Sequence, residues 1–412
     1  MINIVNKQDC CGCSACEQIC PKQCISLYED EKGFLYPHVN SEDCINCGLC
    51  EKVCLKLHPY EIRTPYYTYA ATNDNEEIRM RSSSGGIFTL FAEQIIDEGG
   101  VVFGARFDEN WQVTLDYTET KEGLAAFRGS KYVQSRIGDT FRQCELFLKS
   151  GRRVMFTGTP CQVSGLKHFL RKEYDNLLLV DFVCHGVPSP LVWRDYLNQL
   201  VHYPDGVARI STILASLKEK PIITSISFRD KSTGWKQFSF VVRGVSGSKV
   251  QSNTVLPSDD DIIFHEPHNQ NLYMQLFLKN LCLRPSCSNC PAKSGKSGSD
   301  ITIADYWGIS KHHPQWDDDK GTSLILVNSR HGVEYYQQLN INYIETSYEQ
   351  ALAGNPSIEH SVHRTRYVSR FWKSFSKEGI LGAHKVLLTM RPTYFQRLKI
   401  FLFRRIYKFP KI

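Results

Sequence analysis

CCGCSACEQICP, residues 10–21, and CINCGLCEKVC, residues 44–54, decide how this chain is read. The first places thiols at Cys10, Cys13, Cys16 and Cys20, with Pro21 behind them. The second repeats the spacing at Cys44, Cys47, Cys50 and Cys54, 34 residues further on. C-x2-C-x2-C-x3-C wraps [4Fe–4S] cubes: three close thiolates take three corners, and the fourth, on a short helix, reaches the other cube. The expected sets are Cys10, Cys13, Cys16 and Cys54 for one cluster, and Cys44, Cys47, Cys50 and Cys20 for the other. Zinc usually pairs two CxxC halves and needs only four ligands per ion. Two complete runs and the C-P signature exceed that.

Working outward, residues 1–60 read as a small bicluster module. Each half is expected to hold a strand, a cluster loop and a short helix, with the metal supplying much of the stability. Residues 58–68 carry two prolines and read as a linker. Met1–Asp9 lacks a basic n-region and a long apolar h-region, so no secretory signal is expected and the thiols read as reduced, in a cytoplasmic protein.

The 412 residues allow two or three domains, and 42% hydrophobic content supports a real core. No apolar run reaches 18 residues. The formal charge is +6, but Gly379–Ile412 holds eight Lys or Arg and no acid, which leaves −2 on residues 1–378. The body is therefore not read as a nucleic-acid binder. The tail, 391–412, is amphipathic, with Phe395, Leu398, Leu402, Ile406 and Phe409 on one helical face and Arg397, Arg404 and Lys408 roughly opposite. Peripheral contact with an anionic membrane is one expectation for it, docking on the protein's own body the other.

From Tyr69 the pattern becomes strand, glycine loop, helix, which argues for an α/β body. Ser82–Gly86 opens a helix marked by Ile87, Leu90, Phe91 and Ile95, an arrangement that suits a phosphate. Strands are expected at VVFGARF, RRVMFTGTPCQV, LLLVDFVCHG, DITIADYWGI and, last, TSLILVN; residues 207–256 read as β-rich and 331–378 as mostly helical. Cys161 and Cys184 fall at strand ends, where α/β folds bind ligands. With the CxxC of Cys287 and Cys290 they offer four thiols for a third site. Cys282 competes for a place in it, and zinc remains open there. Cys11 and Cys24 are expected to pack against the clusters.

SSSGGIFT, RGSKYVQS, GTPCQV, DFVCHGVPS, CLRPSCSNCPAK and SDITIADYWG, in that order, resemble the beta subunit of coenzyme F420 hydrogenase/dehydrogenase. They resemble more closely its bacterial relatives with a fused N-terminal ferredoxin. The resemblance implies an α+β chain: a bicluster ferredoxin-like module (1–60), a flavin-binding α/β body (68–150 and 151–330) and a C-terminal helical extension (331–412). It implies FAD held by Ser84, Gly85, Gly86, Thr89, Lys131 and Tyr132, with Gln134 and Ser135 also assigned to it. It implies a third cluster on Cys161, Cys184, Cys287 and Cys290.

The functional expectation is an iron–sulfur flavoprotein oxidoreductase. Its redox partner would be ferredoxin or F420. Its substrate would be a small organic molecule, such as a sugar or lipid-linked intermediate of surface-polysaccharide synthesis. His185, beside Cys184, is the candidate proton donor. The rival expectation is an electron-relay subunit serving a partner enzyme.

Overall fold

The computed structural model describes residues 1–202, 222–245 and 261–390. The tail helix expected at 391–412 lies outside the described residues, as do residues 207–221 and 246–256 of the β-rich stretch expected at 207–256; its described part, 222–245, holds two strands.

In the N-terminal module, helices α1 (Ala15–Gln18) and α2 (Leu49–Lys52) follow the two cysteine loops. Strands β1 (Ile25–Glu29) and β2 (Leu35–Val39) both lie between the runs and pair antiparallel, Ile25 facing Val39. The expected strand ahead of the first loop does not form; the two halves instead share one hairpin. The module's own apolar cluster is small and partly made of cysteines: Ile2, Cys20, Cys24, Ile25 and Cys50.

The body is built on an eight-stranded mixed sheet. Its strands are β3 (Tyr67–Thr72), β4 (Val101–Phe107), β5 (Val113–Thr118), β6 (Val154–Gly158), β7 (Leu177–Phe182), β11 (Ile301–Asp305), β12 (Ser323–Val327) and β13 (Asn342–Glu345). The order is β13-β3-β12-β11-β7-β6-β4-β5. β4, β6, β7 and β11 run parallel, and the flanking pairs are antiparallel. Successive side chains of a strand point to opposite faces, and the core shows it. Met155, Leu178 and Val180 pack under helix α4 (Ile87–Asp97) with Phe91 and Ile95. Val154, Phe156, Leu177 and Leu179 pack on the other face, against α5 (Thr140–Lys149) and α6 (Pro160–Leu170). Ala15 and Val53 of the module belong to this second cluster, so the module is seated on the α5/α6 face.

A third apolar cluster joins α7 (Pro190–His202), the antiparallel sheet β8 (Ile222–Asp230), β9 (Ser239–Val245), β10 (Asp261–Pro267), and helix α8 (Leu272–Leu278). The expected helical extension contains α9 (Arg330–Gln337), α10 (Tyr348–Gly354) and α11 (Val368–Thr389). It also contributes a strand, so TSLILVN is not the last one. β13 pairs with β3 and satisfies a backbone edge that would otherwise lie open.

Parallel pairing sets the carboxyl ends of β6, β7 and β11 side by side. Antiparallel pairing brings the start of β12 and the end of β3 to the same edge. Every candidate site residue of the body follows from that edge or from the loops that cross it.

Candidate iron–sulfur centres and an anion site

The two N-terminal loops place their thiols differently. Cys10, Cys16 and Cys54 lie near one another, Cys10 and Cys54 acting on the Cys16 thiol and Cys10 on that of Cys54. This is the inner site, against the body. Burial raises the Cys16 and Cys54 thiols. Cys13 stands beside Cys11, and a methyl group on Gly165 of α6 would lie 2.8 Å from the Cys13 Cβ. That helix position must therefore stay bare. Cys20, Cys44, Cys47 and Cys50 line one cleft at the outer end of the module. Cys24 joins them, its Sγ 3.4 Å from that of Cys20, and Cys47 is exposed.

The body cysteines come from three loops. Pro160 starts α6 directly after β6, and the Thr159 N–H donates to Gln162 Oε1 at 2.9 Å, so Cys161 sits in the first turn. Cys184 follows β7, the parallel neighbour. Cys287 and Cys290 lie on a short 3-10 turn beginning at Pro285 and on its cap. The left-handed glycine Gly186 passes Cys287, with the Val187 N–H donating to its Sγ at 3.4 Å. Cys161, Cys287 and Cys290 all act on the Cys184 thiol, which burial raises far above its ordinary value. Burial pushes Cys287 up to about 12 and Cys290 up to about 11. Such thiols lose their protons on metal binding. Cys282 is elsewhere: it is fully buried in the apolar core with Tyr273. Among the described residues no His, Cys, Asp or Glu group converges tightly enough for a single metal ion. A four-iron cube instead takes its thiolates at separate corners, and four cysteines drawn from three loops are compatible with that.

Cys11 lies between the inner cysteine loop and α6: hydrogen bonding with Cys11, ahead of burial, raises the Cys161 thiol, and the neighbouring Cys13 packs on Gly165 of the same helix.

The Ser82–Gly86 loop lies on the same sheet edge. Ser84 Oγ donates to Thr322 O at 2.9 Å, and the Gly85 N–H donates to Ser323 Oγ at 2.9 Å. Gly86 is left-handed, and no side chain caps α4. Cations surround this uncapped end. Arg128 Nε donates to Thr89 Oγ1 at 3.0 Å. Lys131 bonds the carbonyls of Arg128 and Gly129. Lys231 bonds those of Arg79, Ser84 and Lys320 at 2.6–2.7 Å. Burial pushes both lysines down to about 7, and an anion would restore their charge. Arg229 pairs with Asp305 at 2.5 Å and reaches Ser83 O, yet its buried Nε has no partner among the described residues. The set fits a phosphate or pyrophosphate.

Tyr132 stacks on Phe277 at 4.6 Å, and Phe277 meets the His185 ring edge-on at 5.3 Å. His185 Nε2 is 2.6 Å from Asn280 Oδ1, and burial lowers its pKa. In the neutral tautomer fixed by that acceptor, the Nε2 proton is committed to Asn280. Gln134 and Ser135 turn away from the Ser82–Gly86 loop. Gln134 bridges Cys11 O and Arg284, and Ser135 Oγ accepts from Gln162 at 2.8 Å.

Sequence reasoning missed Arg229, Lys231 and Arg284. For Arg284 there was a signal: CLRPSC sets an arginine between two cysteines.

Residues 9–56 match the 4Fe-4S dicluster domain. A search of curated proteins finds the coenzyme F420-dependent sulfite reductase of Methanocaldococcus jannaschii. The two are 26% identical over 200 residues, 47% of this chain but 30% of that protein's length. Among solved structures, a chain of the F420-reducing [NiFe] hydrogenase complex from Methanosarcina barkeri aligns with a TM-score of 0.43 and 17% identity. That alignment covers 81% of this chain and 94% of the other. Residues 68–140 match the N-terminal part of the coenzyme F420 hydrogenase/dehydrogenase beta subunit, and residues 151–351 its C terminus. The chain thus belongs to the coenzyme F420 hydrogenase/dehydrogenase beta-subunit family of oxidoreductases, in a form with its own N-terminal 4Fe–4S dicluster domain.

Proposed function

We propose that this chain is an electron relay, connecting an outside one-electron carrier to a two-electron carrier held on the body. The observation that carries the reading is the packing of Cys13, in the module's inner cysteine loop, against Gly165 of α6, the helix whose first turn holds the body's Cys161. Iron–sulfur clusters carry single electrons, and a flavin or F420 exchanges them in pairs. Cys10, Cys13, Cys16 and Cys54 would hold the inner cluster, and Cys20, Cys44, Cys47 and Cys50 the outer one. Cys161, Cys184, Cys287 and Cys290 would hold a third. The uncapped end of α4, with Ser84, Gly85, Gly86, Lys131, Arg229 and Lys231, would bind the phosphates of FAD or of F420. Tyr132 and Phe277 would line the space between that anion site and Cys184.

The exposed Cys47 makes the outer site the natural docking point for a ferredoxin or a partner subunit. No observation on the sheet edge favours the sugar or lipid-linked substrate expected from sequence, so the relay stands first. His185, the proton donor expected from sequence, has its Nε2 bonded to Asn280 Oδ1.

Anaerobically prepared protein tests this. About twelve irons per chain are expected for three four-iron clusters. Bound flavin and reduction of F420 by the dithionite-reduced protein are expected alongside. About eight irons with one zinc would remove the third cluster from the path. Reduction of an organic substrate with no partner present would replace the relay by a self-contained enzyme.

A further inference from the structure

We propose that Arg284 is the fixed counter-cation of the inner N-terminal cluster and sets its reduction potential. The proposal rests on the dicluster module and not on the relay reading.

Arg284 is 1% exposed. Its Nε donates to Cys10 O at 2.8 Å, and Nη2 donates to Leu35 O at 2.9 Å and reaches Cys10 Sγ at 3.5 Å. Nη1 donates to Gln134 Oε1 at 3.0 Å. The guanidinium lies 4.4 Å from the centre of the Tyr36 ring. Among the described residues none of these partners is a carboxylate. A buried guanidinium without a counter-charge is costly, and this one spans from the body into the cluster loop. The negative charge within reach is that of cysteine sulfur. Metal loading turns the ligand thiols into thiolates and makes the site anionic.

The local backbone is shaped around this contact. Gly12 is left-handed at φ 73°, and a Cβ there would lie 2.8 Å from Arg284 Nη1. The loop that carries Cys10 and Cys13 thus leaves room for the guanidinium.

The chemistry follows from charge. Reduction adds one electron to a cluster that is already anionic. A fixed cation with an N–H directed at a ligand sulfur stabilises the reduced state more than the oxidised one. Arg284 therefore raises the inner potential, while the outer site, open to water at Cys47, is not expected to feel it. Arg284 is a positioning residue in this sense: it acts through Cys10.

The test is an EPR-monitored anaerobic redox titration of the full-length, cluster-loaded protein. R284Q is expected to weaken reduction of one N-terminal cluster about tenfold, a negative shift of about 59 mV for one electron. The other N-terminal transition should stay in place. R284K keeps the charge and should hold the midpoint within about twofold, some 18 mV. If no transition moves in R284Q, or R284K shifts as far as R284Q, the proposal is overturned. Should R284Q fail to load its clusters, Q134E takes its place. It leaves Arg284 intact and gives Nη1 a carboxylate partner. A negative shift of one transition in Q134E supports the proposal, and an unmoved midpoint overturns it.

Discussion

The two cysteine loops share a backbone and differ in what surrounds them. Gly12 and Asn46, each two residues after the first cysteine of its run, are both left-handed, at φ 73° and 52°. Ser14 and Gly48, two residues further, repeat this at 59° and 72°. A four-residue helix follows in each case. Beyond that the likeness stops. Around the inner loop Ala15 is fully buried, Gln18 is 4% exposed, and Arg284 and α6 press on Gly12 and Cys13. Around the outer loop Ile45, Asn46, Cys47 and Lys52 are exposed, and a Cβ built on Gly48 would meet nothing within 4 Å among the described residues. Equal ligand spacing thus serves two different tasks: one loop is built into the body and the other is left open.

Metal removal gives the sharpest test of that difference. An oxidant with a chelator should strip the outer site first, because solvent reaches Cys47. Iron release is expected in two phases, the outer EPR signal disappearing in the first. Loss of the second cluster should then unfold the module, whose own apolar cluster is small. A single phase, or loss of the inner signal first, would break the comparison.

Next in size is a swap between equivalent helix positions. Gln18 Oε1 accepts from the Phe141 N–H at 3.0 Å and the Arg142 N–H at 3.3 Å, closing the first turn of α5. Its counterpart Lys52 is exposed. Q18K puts an ammonium against helix N–H groups and should cost about 3–5 kcal/mol, as an uncompensated buried charge does. K52Q should change stability by less than about 0.5 kcal/mol. Denaturant melts of the two variants check both.

The buried side also carries a carboxyl. Asp181, near the end of β7, is 2% exposed, and burial raises its pKa to about 6 despite a bond from Thr302. Between the ordinary value of 3.8 and about 6 the folded state holds a proton that the unfolded state has lost. Stability therefore falls as pH rises through that window, and the full cost is present above pH 6. D181N should gain at most about 3 kcal/mol at pH 8 and nothing at pH 3. Melts at the two pH values read this directly. A gain of equal size at both would mean that packing, not charge, governs the site.

Much of this was legible in the sequence because it is local. The cysteine runs follow from spacing, and the parallel strands from the recurrence of apolar runs ended by glycine loops. That Cys161 and Cys184 come together follows from strand-end position. What could not be read depends on long-range contact. Arg284 meets Cys10 across 274 positions, and no periodicity announces such a pairing. Gln134 shares a segment with Lys131 and Tyr132, yet its side chain faces the inner loop instead of the anion site. β13 escaped because four residues with one partly buried position carry no clear alternation. Cys282 could compete for the third site only until its place in the apolar core was known.

The smallest expected effect isolates surroundings from backbone. Asn tolerates the left-handed region, so G12N adds little strain of its own. What it adds is a side chain against Arg284 and Gln134, where a Cβ already lies 2.8 Å from each. Overpacking of this kind costs about 1–3 kcal/mol. N46G makes the reverse change in open surroundings and should stay within about 0.5 kcal/mol. The double variant G12N/R284Q sharpens the argument further. With the guanidinium replaced by a shorter side chain, much of the G12N penalty should vanish, because residues in contact do not add independently. If G12N cost the same with and without Arg284, the crowding would come from Gln134 alone, and the inner loop would owe its glycine to a neutral neighbour and not to a cation.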